Sequence, residues 1–115
     1  MENSNLDLMI DDFIKRHEWD ATKEEIITAM QNNLTLVNEE SFFVFNIYFN
    51  RFQMFFAYVK PGHDARKYWK FFEDWAKKQG CIKLQFATKR YKAFERYLPD
   101  YHKAGVIFEK DIGEE

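Results

Sequence analysis

The sequence has very few cysteines, prolines and glycines. Cys81 is the single cysteine among 115 residues, beside two prolines and four glycines. One cysteine cannot form an internal disulfide, which excludes a disulfide-linked secreted scaffold. The scarcity of proline and glycine, together with 19% aromatic residues, argues against a long disordered segment or linker. The sequence therefore predicts a single domain over residues 1–115.

Long hydrophobic runs and a basic leader are also missing. A membrane-spanning helix needs roughly 20 apolar residues in succession. The densest apolar stretch, Phe42 to Val59, is interrupted by Asn46, Asn50 and Arg51. The first residues carry acids instead of a basic segment followed by an apolar one, so no signal peptide is predicted. We expect no membrane partner and a cytoplasmic location.

The excess charge is small but unevenly distributed. Seventeen Lys and Arg against nineteen Asp and Glu give a net charge of −2, which supplies no electrostatic reason to bind nucleic acid. Residues 1–59 sum to −6, whereas residues 60–115 sum to +4. Residues 60–92 alone hold ten bases and three acids. This stretch is therefore a candidate for a local anion site.

The first half of the chain changes from a helical period to a strand pattern. Apolar residues spaced by three and four predict a helix over residues 4–17, and Thr22 with Glu25 has the spacing of a capping box that begins a second helix ending near Asn32. Residues 34–37, 41–49 and 52–59 are rich in aromatic and β-branched residues, which predicts three antiparallel strands. Asn50 and Arg51 are predicted as the tight turn, with Asn50 at positive φ.

The second half predicts alternating helices and strands. A helix over residues 64–79, capped by Asp64 and ended by Gly80, is followed by a strand over 81–87. A short helix over 90–98, stopped by Pro99, precedes a last strand over 104–112. The order is α-α-β-β-β-α-β-α-β. This order predicts a mixed α/β (α+β) fold with a sheet of about five to six antiparallel and parallel strands, flanked by helices.

That order, with the step Val59-Lys60-Pro61 into a long helix, resembles the GNAT (Gcn5-related N-acetyltransferase) fold over nearly all of the chain, less the family's first strand. Family members follow this step with a turn of the form Arg/Gln-x-x-Gly-x-Gly/Ala, whose backbone amides hold the pyrophosphate of acetyl-CoA. Helix N-termini suit such anions. In this chain Ala65, Lys67 and Trp69 replace the glycines of that turn.

The resemblance implies acetyl-CoA as cofactor and assigns residues to it. The implied cofactor-binding residues are Val59, Asp64, Ala65, Arg66, Lys67, Tyr68 and Arg90. Bases in a first helical turn oppose the usual preference for acids there, so Arg66 and Lys67 make sense beside a phosphate. In the alternative interpretation, Asp64 caps the helix, and the side chains of Arg66 and Lys67 are simply exposed to solvent.

A second family element matches on the predicted helix after the next strand. Members often show Asn-x-x-Ala-x-x-x-Tyr, and this chain keeps Ala93 and Tyr97 at that spacing, with Arg90 replacing the Asn. In the family this Tyr protonates the departing CoA thiolate, so Tyr97 is the candidate catalytic residue. Its alternative role is an ordinary core aromatic. No general base stands out, and the histidines show no metal-ligand spacing, so no metal is predicted.

Two functions from different classes remain open. The first is acetyl-CoA-dependent N-acetyl transfer to an unidentified amine. The second is a catalytically inactive GNAT-like protein that works by protein binding, as small divergent phage-type members of the family suggest, which would place it in a host cytoplasm. The high aromatic content predicts an exposed patch for a protein partner or a homodimer. The candidates for that patch are Trp19, Phe52, Phe55 and Tyr101.

Overall fold

The computed structural model describes residues 2–17, 22–87, 102–104 and 107–113. Its helices and strands are α1 (Glu2–His17), α2 (Lys23–Asn32), β1 (Leu34–Val37), β2 (Ser41–Tyr48), β3 (Arg51–Val59), α3 (Arg66–Lys78), β4 (Lys83–Ala87), β5 (His102–Ala104) and β6 (Ile107–Asp111). The mixed α/β class is confirmed. The predicted last strand is two strands here, and the predicted helix over 90–98 lies outside the described residues.

The strands form one mixed sheet in the order β1-β2-β3-β4-β6-β5. β1 pairs antiparallel with β2, with Leu34 opposite Phe45. β3 pairs parallel with β4, with Arg51 opposite Lys83. β6 is antiparallel to both β4 and β5. A parallel pair needs a long crossover, and α3 supplies it between β3 and β4.

The start of α2 confirms the predicted capping box. The backbone N–H of Glu25 donates to Thr22 Oγ1 at 3.2 Å, and the backbone N–H of Thr22 donates to Glu25 Oε1 at 3.2 Å. Each side chain thus satisfies an amide that the first helical turn leaves without a partner.

The turn between β2 and β3 differs from the prediction. It consists of Phe49 and Asn50, and Phe49 rather than Asn50 has the positive φ, at 58°. Arg51 is taken into the sheet because it pairs with Lys83, while the N–H of Ile82 donates to the carbonyl of Asn50 at 2.8 Å. The predicted placement of the turn was therefore wrong by one residue.

Contacts divide the chain into two compact units, Met1–Phe45 with Phe56–His63, and Asn46–Phe55 with Asp64–Glu115. We call them the first and second unit. In the first unit the ring of Phe13 meets Phe42 and Phe56 edge-on, with centroids 5.7 and 5.8 Å apart. Phe42 also stacks on Tyr58 at 5.5 Å. These rings fix α1 on β2 and on the end of β3.

In the second unit α3 packs on β3 and β4 through aromatic rings. Phe52 meets Phe72 at 5.6 Å and Trp75 at 6.1 Å, and Trp69 lies 4.8 Å from Phe86. The helix ends as predicted at Gly80, whose φ is 86° and whose N–H donates to the carbonyl of Lys77. The single-domain prediction remains a prediction.

The predicted aromatic patch needs correction at one position. Phe52 has no exposed surface, because the rings of α3 cover it, so it cannot belong to a patch. Phe55 is half-buried, and Trp19 and Tyr101 lie outside the described residues. Among the residues whose burial is described, the exposed aromatic side chains are Tyr48, Phe49 and Phe71. Among the described residues, no helix combines the length and apolar character that crossing a membrane requires.

Candidate functional site

The start of α3 carries bases and no acids in its first turn. The helix begins at Arg66, followed by Lys67, and both side chains are exposed. The residue at the N-cap is Ala65, in a helical conformation and without a side-chain cap. The prediction that Asp64 caps this helix is therefore corrected: Asp64 lies one residue before the N-cap, because the helical backbone already includes Ala65.

Asp64 nevertheless binds the first turn. The backbone N–H of Arg66 donates to Asp64 Oδ1 at 2.9 Å, and Arg66 Nε donates to the same oxygen at 3.1 Å. A backbone amide and a guanidinium thus converge on one anionic oxygen. Both side chains remain largely in solvent, with exposed fractions of 66% for Arg66 and 51% for Asp64. An exposed ion pair of this kind contributes only about 0–1 kcal/mol, so another anion can replace the carboxylate at small cost.

The residues that replace the family's glycines take three different positions. Ala65 accepts hydrogen bonds from the N–H groups of Tyr68 and Trp69 at 3.1 and 3.3 Å. The Lys67 ammonium lies 5.1 Å from the centre of the Tyr68 ring. Trp69 is 5% exposed and packs on Phe86, so its indole fills the space between α3 and β4. Of the three side chains, only the indole of Trp69 is buried.

The structure brings some of the predicted site residues together. Asp64 to Tyr68 form one turn in the second unit. Val59 is the half-buried last residue of β3 and belongs to the first unit. Arg90 and Tyr97 lie outside the described residues, so their roles stay predictions.

The paired part of the parallel strands β3 and β4 lies in the second unit, together with two glutamine side chains that contact each other. Residues Arg51–Met54 of β3 pair with Lys83–Phe86 of β4, and β3 continues beyond this pairing to Val59. Next to the end of this ladder Gln53 Nε2 donates to Gln85 Oε1 at 3.3 Å, and Gln85 is 6% exposed. Neutral amides cannot accept a proton at neutral pH.

A polar network in the first unit was not predicted. Tyr58 Oη donates to Asp12 Oδ2 at 2.5 Å, and Arg16 Nε donates to the same oxygen at 2.8 Å. The hydrogen bond from Tyr58 lowers the pKa of Asp12. Burial, with the hydrogen bond to Asp12, raises the pKa of Tyr58 to about 12. The two residues are 46 positions apart in sequence, so no local pattern could have revealed the pair.

A second carboxylate pair lies in the loop before α3. His63 Nδ1 lies 3.2 Å from Glu40 Oε2, and the N–H of Lys60 donates to the carbonyl of Glu40 at 2.7 Å. Lys60 Nζ donates to Asn5 Oδ1 at 3.1 Å. These contacts tie the loop to the turn after β1 and to α1. Within the described residues, no group of three His, Cys, Asp or Glu is arranged to hold a metal ion.

A cleft of about 670 Å³ lies at the opposite end of α3, also within the second unit. Its charged groups are mostly paired, with Lys110 3.0 Å from Glu73 and Lys70 3.2 Å from Asp74. Cys81 lines this cleft, and burial raises the pKa of its thiol. A thiol with a raised pKa is a poor nucleophile at neutral pH. The cleft therefore shows no obvious chemistry.

Comparison with known proteins identifies the fold. No family model and no curated protein matches the sequence. Among solved structures, the ribosomal-protein-S18-alanine N-acetyltransferase from Escherichia coli matches with a TM-score of 0.66 at 13% identity, over 90% of this chain and 86% of that one. Tetrahymena Gcn5 matches with a TM-score of 0.66 at 16% identity, over 93% of this chain and 88% of that one.

A third matching structure is a complex with coenzyme A. The PaiA N-acetyltransferase from Thermoplasma acidophilum, in complex with coenzyme A, matches with a TM-score of 0.54 at 19% identity, over 78% of this chain and 71% of that one. At these identities the likeness concerns the fold alone. The chain has the GNAT fold, as its sequence predicted.

The first turn of α3 fits an anionic cofactor in its donor chemistry. The N–H and the guanidinium of Arg66 already meet on a carboxylate oxygen that belongs to the chain itself. A phosphate oxygen is an anionic acceptor of the same kind as this carboxylate oxygen.

Proposed function

We propose that the chain binds acetyl-CoA at the start of α3 and transfers the acetyl group to an amine. The observation that carries this proposal is the convergence of the Arg66 N–H and the Arg66 guanidinium on one anionic oxygen. Support also comes from the fold, which the chain shares with several N-acetyltransferases, one of them in complex with coenzyme A.

Each of the proposed site residues has a defined task. Arg66 and Lys67, with the amides of residues 64–68, would hold the pyrophosphate, and Asp64 would move aside to admit it. Val59 and Arg90 would contact the cofactor, which would supply the activated acetyl group. Tyr97 Oη would donate a proton to the leaving thiolate, because a phenol is ordinarily protonated at neutral pH, and the proton that the amine loses would restore the phenol through solvent.

A second function is favoured by the residues that replace the family's glycines. Trp69 is buried against Phe86, and the Asp64 carboxylate already occupies the Arg66 amide. A turn filled in this way suits a GNAT-like protein without cofactor that works by binding another protein. The two functions differ in whether acetyl-CoA displaces Asp64.

Calorimetric titration with acetyl-CoA distinguishes the two functions. If the chain binds the cofactor, Arg66→Glu weakens the affinity at least about tenfold, because it removes one cation and adds an anion at the phosphate. Asp64→Asn tightens it by about fivefold, the equivalent of an exposed ion pair of about 1 kcal/mol. Lys70→Glu is the matched charge reversal on the same helix and leaves the affinity nearly unchanged.

The same titration can reject the enzyme. If neither the wild-type chain nor Asp64→Asn releases heat with millimolar acetyl-CoA, the cofactor-free binding protein is the better account. If acetyl-CoA binds, Tyr97→Phe tests the chemistry, since it should lower acetyl transfer while leaving the affinity for acetyl-CoA unchanged.

A further inference from the structure

Two glutamines contact each other next to the end of the pairing between β3 and β4. Gln53 stands opposite Gln85, and Gln53 Nε2 donates to Gln85 Oε1 at 3.3 Å. The next pair along the strands is Met54 with Phe86, and the ring of Phe86 lies 4.8 Å from that of Trp69 in the first turn of α3. The amide pair therefore lies at the level of the turn to which the proposed function assigns acetyl-CoA. All of these residues belong to the second unit.

The amide pair lies on the face of the sheet opposite α3. Successive side chains of a strand alternate between the two faces. Phe52 contacts the rings of α3, so Gln53 and, two residues earlier, Arg51 point to the other face. Lys83 stands opposite Arg51 and shares its face. This face thus carries a basic row, Arg51 with Lys83, beside an amide row, Gln53 with Gln85.

The basic row by itself opposes folding. Like charges at paired positions of neighbouring strands repel each other. Lys83 Nζ lies 3.9 Å from Asp111 Oδ1, but the Asp111 side chain is 70% exposed, and among the described residues no carboxylate pairs with Arg51. A local arrangement that opposes stability without an evident structural gain is typical of functional positions. The basic row therefore suits an anion supplied from outside the chain.

The amide row suits an amine. Gln53 Nε2 is used by Gln85, whereas Gln53 Oε1 accepts no hydrogen bond from the described residues, and Gln53 is only half-buried. An amide oxygen accepts a hydrogen bond from an N–H group. Gln85 is 6% exposed and holds the Gln53 amide in one orientation. Glu109 stands next to Gln85 in the register, so the residue beyond the amide row is an acid and not a base.

We propose that the acceptor in the acetyl transfer is an amine that also carries an anionic group, an inference that rests on the function proposed above. Gln53 Oε1 accepts an N–H of the amine, while Arg51 and Lys83 bind the anion. Two residues along a strand span about 6.6 Å, and long basic side chains bridge part of that distance, so a short spacer between amine and anion is enough. An amino acid is the simplest molecule of this kind.

The hydrogen bond to Gln53 orients the nitrogen and leaves the proton balance unchanged. The neutral amine forms a bond to the acetyl carbon as the carbon–sulfur bond breaks. Nitrogen loses one proton and sulfur gains one, so the products are an amide and a thiol. An ammonium first releases its extra proton to solvent. Gln53 takes up no proton, and its contribution is to hold the amine in place.

Two amines that differ only in charge test the inference. β-Alanine carries a carboxylate, and β-alaninamide carries a neutral amide in its place. Acetyl transfer, followed as release of the coenzyme A thiol, should have a kcat/KM at least about tenfold higher with β-alanine. Arg51→Ala should raise the KM for β-alanine at least about tenfold and leave that for β-alaninamide unchanged. Lys78→Ala is the matched control, because it removes an exposed base from the last turn of α3.

Variants of Gln53 test the amine end of the acceptor. Gln53→Leu removes the acceptor oxygen and should raise the KM for both amines, while the calorimetric affinity for acetyl-CoA stays the same. Gln53→Glu keeps an acceptor oxygen, so its KM for β-alaninamide should rise less than that of Gln53→Leu. Circular dichroism shows whether each variant is folded.

The inference and the proposed function fail in different ways. A chain that releases no heat with acetyl-CoA overturns the proposed function and this inference with it. A chain that binds acetyl-CoA overturns the inference alone if it acetylates neither amine, or if it uses β-alaninamide as well as β-alanine. An equal loss with both amines in Arg51→Ala also overturns it, since Arg51 would then support the fold and not bind the anion.

Discussion

The two compact units use their charged residues in different ways. In the first unit, which is acidic, Asp12 accepts hydrogen bonds from Tyr58 and Arg16 and so joins α1 to β3. In the second unit, which has a net charge of +4, the bases at the start of α3 face solvent and the interior is held by aromatic rings. A charged group thus joins a helix to a strand in the first unit, whereas the contacts that join α3 to β3 and β4 in the second unit are aromatic.

The largest expected effect comes from the aromatic core of the second unit. Phe72 is 1% exposed and meets Phe52, so Phe72→Ala should cost about 3–5 kcal/mol of unfolding free energy. Urea denaturation followed by circular dichroism measures it. Phe71→Ala is the control on the same helix, because Phe71 is 50% exposed. A separate early transition in Phe72→Ala would show that the units unfold independently.

Tyr58→Phe tests the polar network of the first unit. It removes the hydroxyl that donates to Asp12, and a hydrogen bond to a charged group contributes about 1.5–3 kcal/mol. Tyr48→Phe is the control, because Tyr48 is 46% exposed. Equal stability of Tyr58→Phe and the wild-type chain in urea would mean that the network contributes nothing and that the contrast between the units is wrong.

The pH dependence of stability distinguishes the contribution of Asp12 from that of Tyr58. The pKa of Asp12 is lowered from 3.8, so its contribution is present above pH 3.8 and lost as the pH falls through the lowered value. The pKa of Tyr58 is raised from 10.0 to about 12, so its contribution is present below pH 10.0 and lost as the pH rises toward 12.

Urea midpoints at a series of pH values check this behaviour. The difference between the wild-type chain and Tyr58→Phe should shrink at both the acid and the alkaline end. A difference that stays constant down to about pH 2 would show that Asp12 is not the partner that matters.

The smallest expected effect concerns the turn of the second unit. Phe49 has a φ of 58° and is fully exposed, so its side chain contributes no burial while its backbone is strained. Phe49→Gly should raise the unfolding free energy by up to about 1 kcal/mol, because glycine adopts positive φ without that strain. Thermal denaturation measures the change. Asn50→Gly is the control and should give no gain, since Asn50 has no positive φ.

Local patterns predicted most of the elements. The capping box of Thr22 and Glu25, the termination of α3 at Gly80 and the strand character of residues 34–37 all depend on neighbours in sequence, and the structure confirms them. The position of the β2–β3 turn was missed because Arg51 is drawn into the sheet by Lys83, a residue on another element.

The candidate site was predicted in part. Arg66 and Lys67 were expected in the first turn of this helix, and they are there, while their binding of a cofactor stays a prediction. The binding of Asp64 to Arg66, by contrast, depends on Ala65 taking a helical conformation, which its side chain does not dictate. The burial of Phe52 was also missed, because only the contact with α3 decides which aromatic residues are covered.

By itself the amino-acid sequence determined the periodicities, the caps and the charge contrast between the two halves, because each depends on residue type and short spacing. Only the tertiary structure decided that Tyr58 meets Asp12, that α3 covers Phe52 and that β1 pairs with β2 alone among the described strands. These features depend on which distant segments meet, and that is settled by the packing of the whole chain and not by any local pattern.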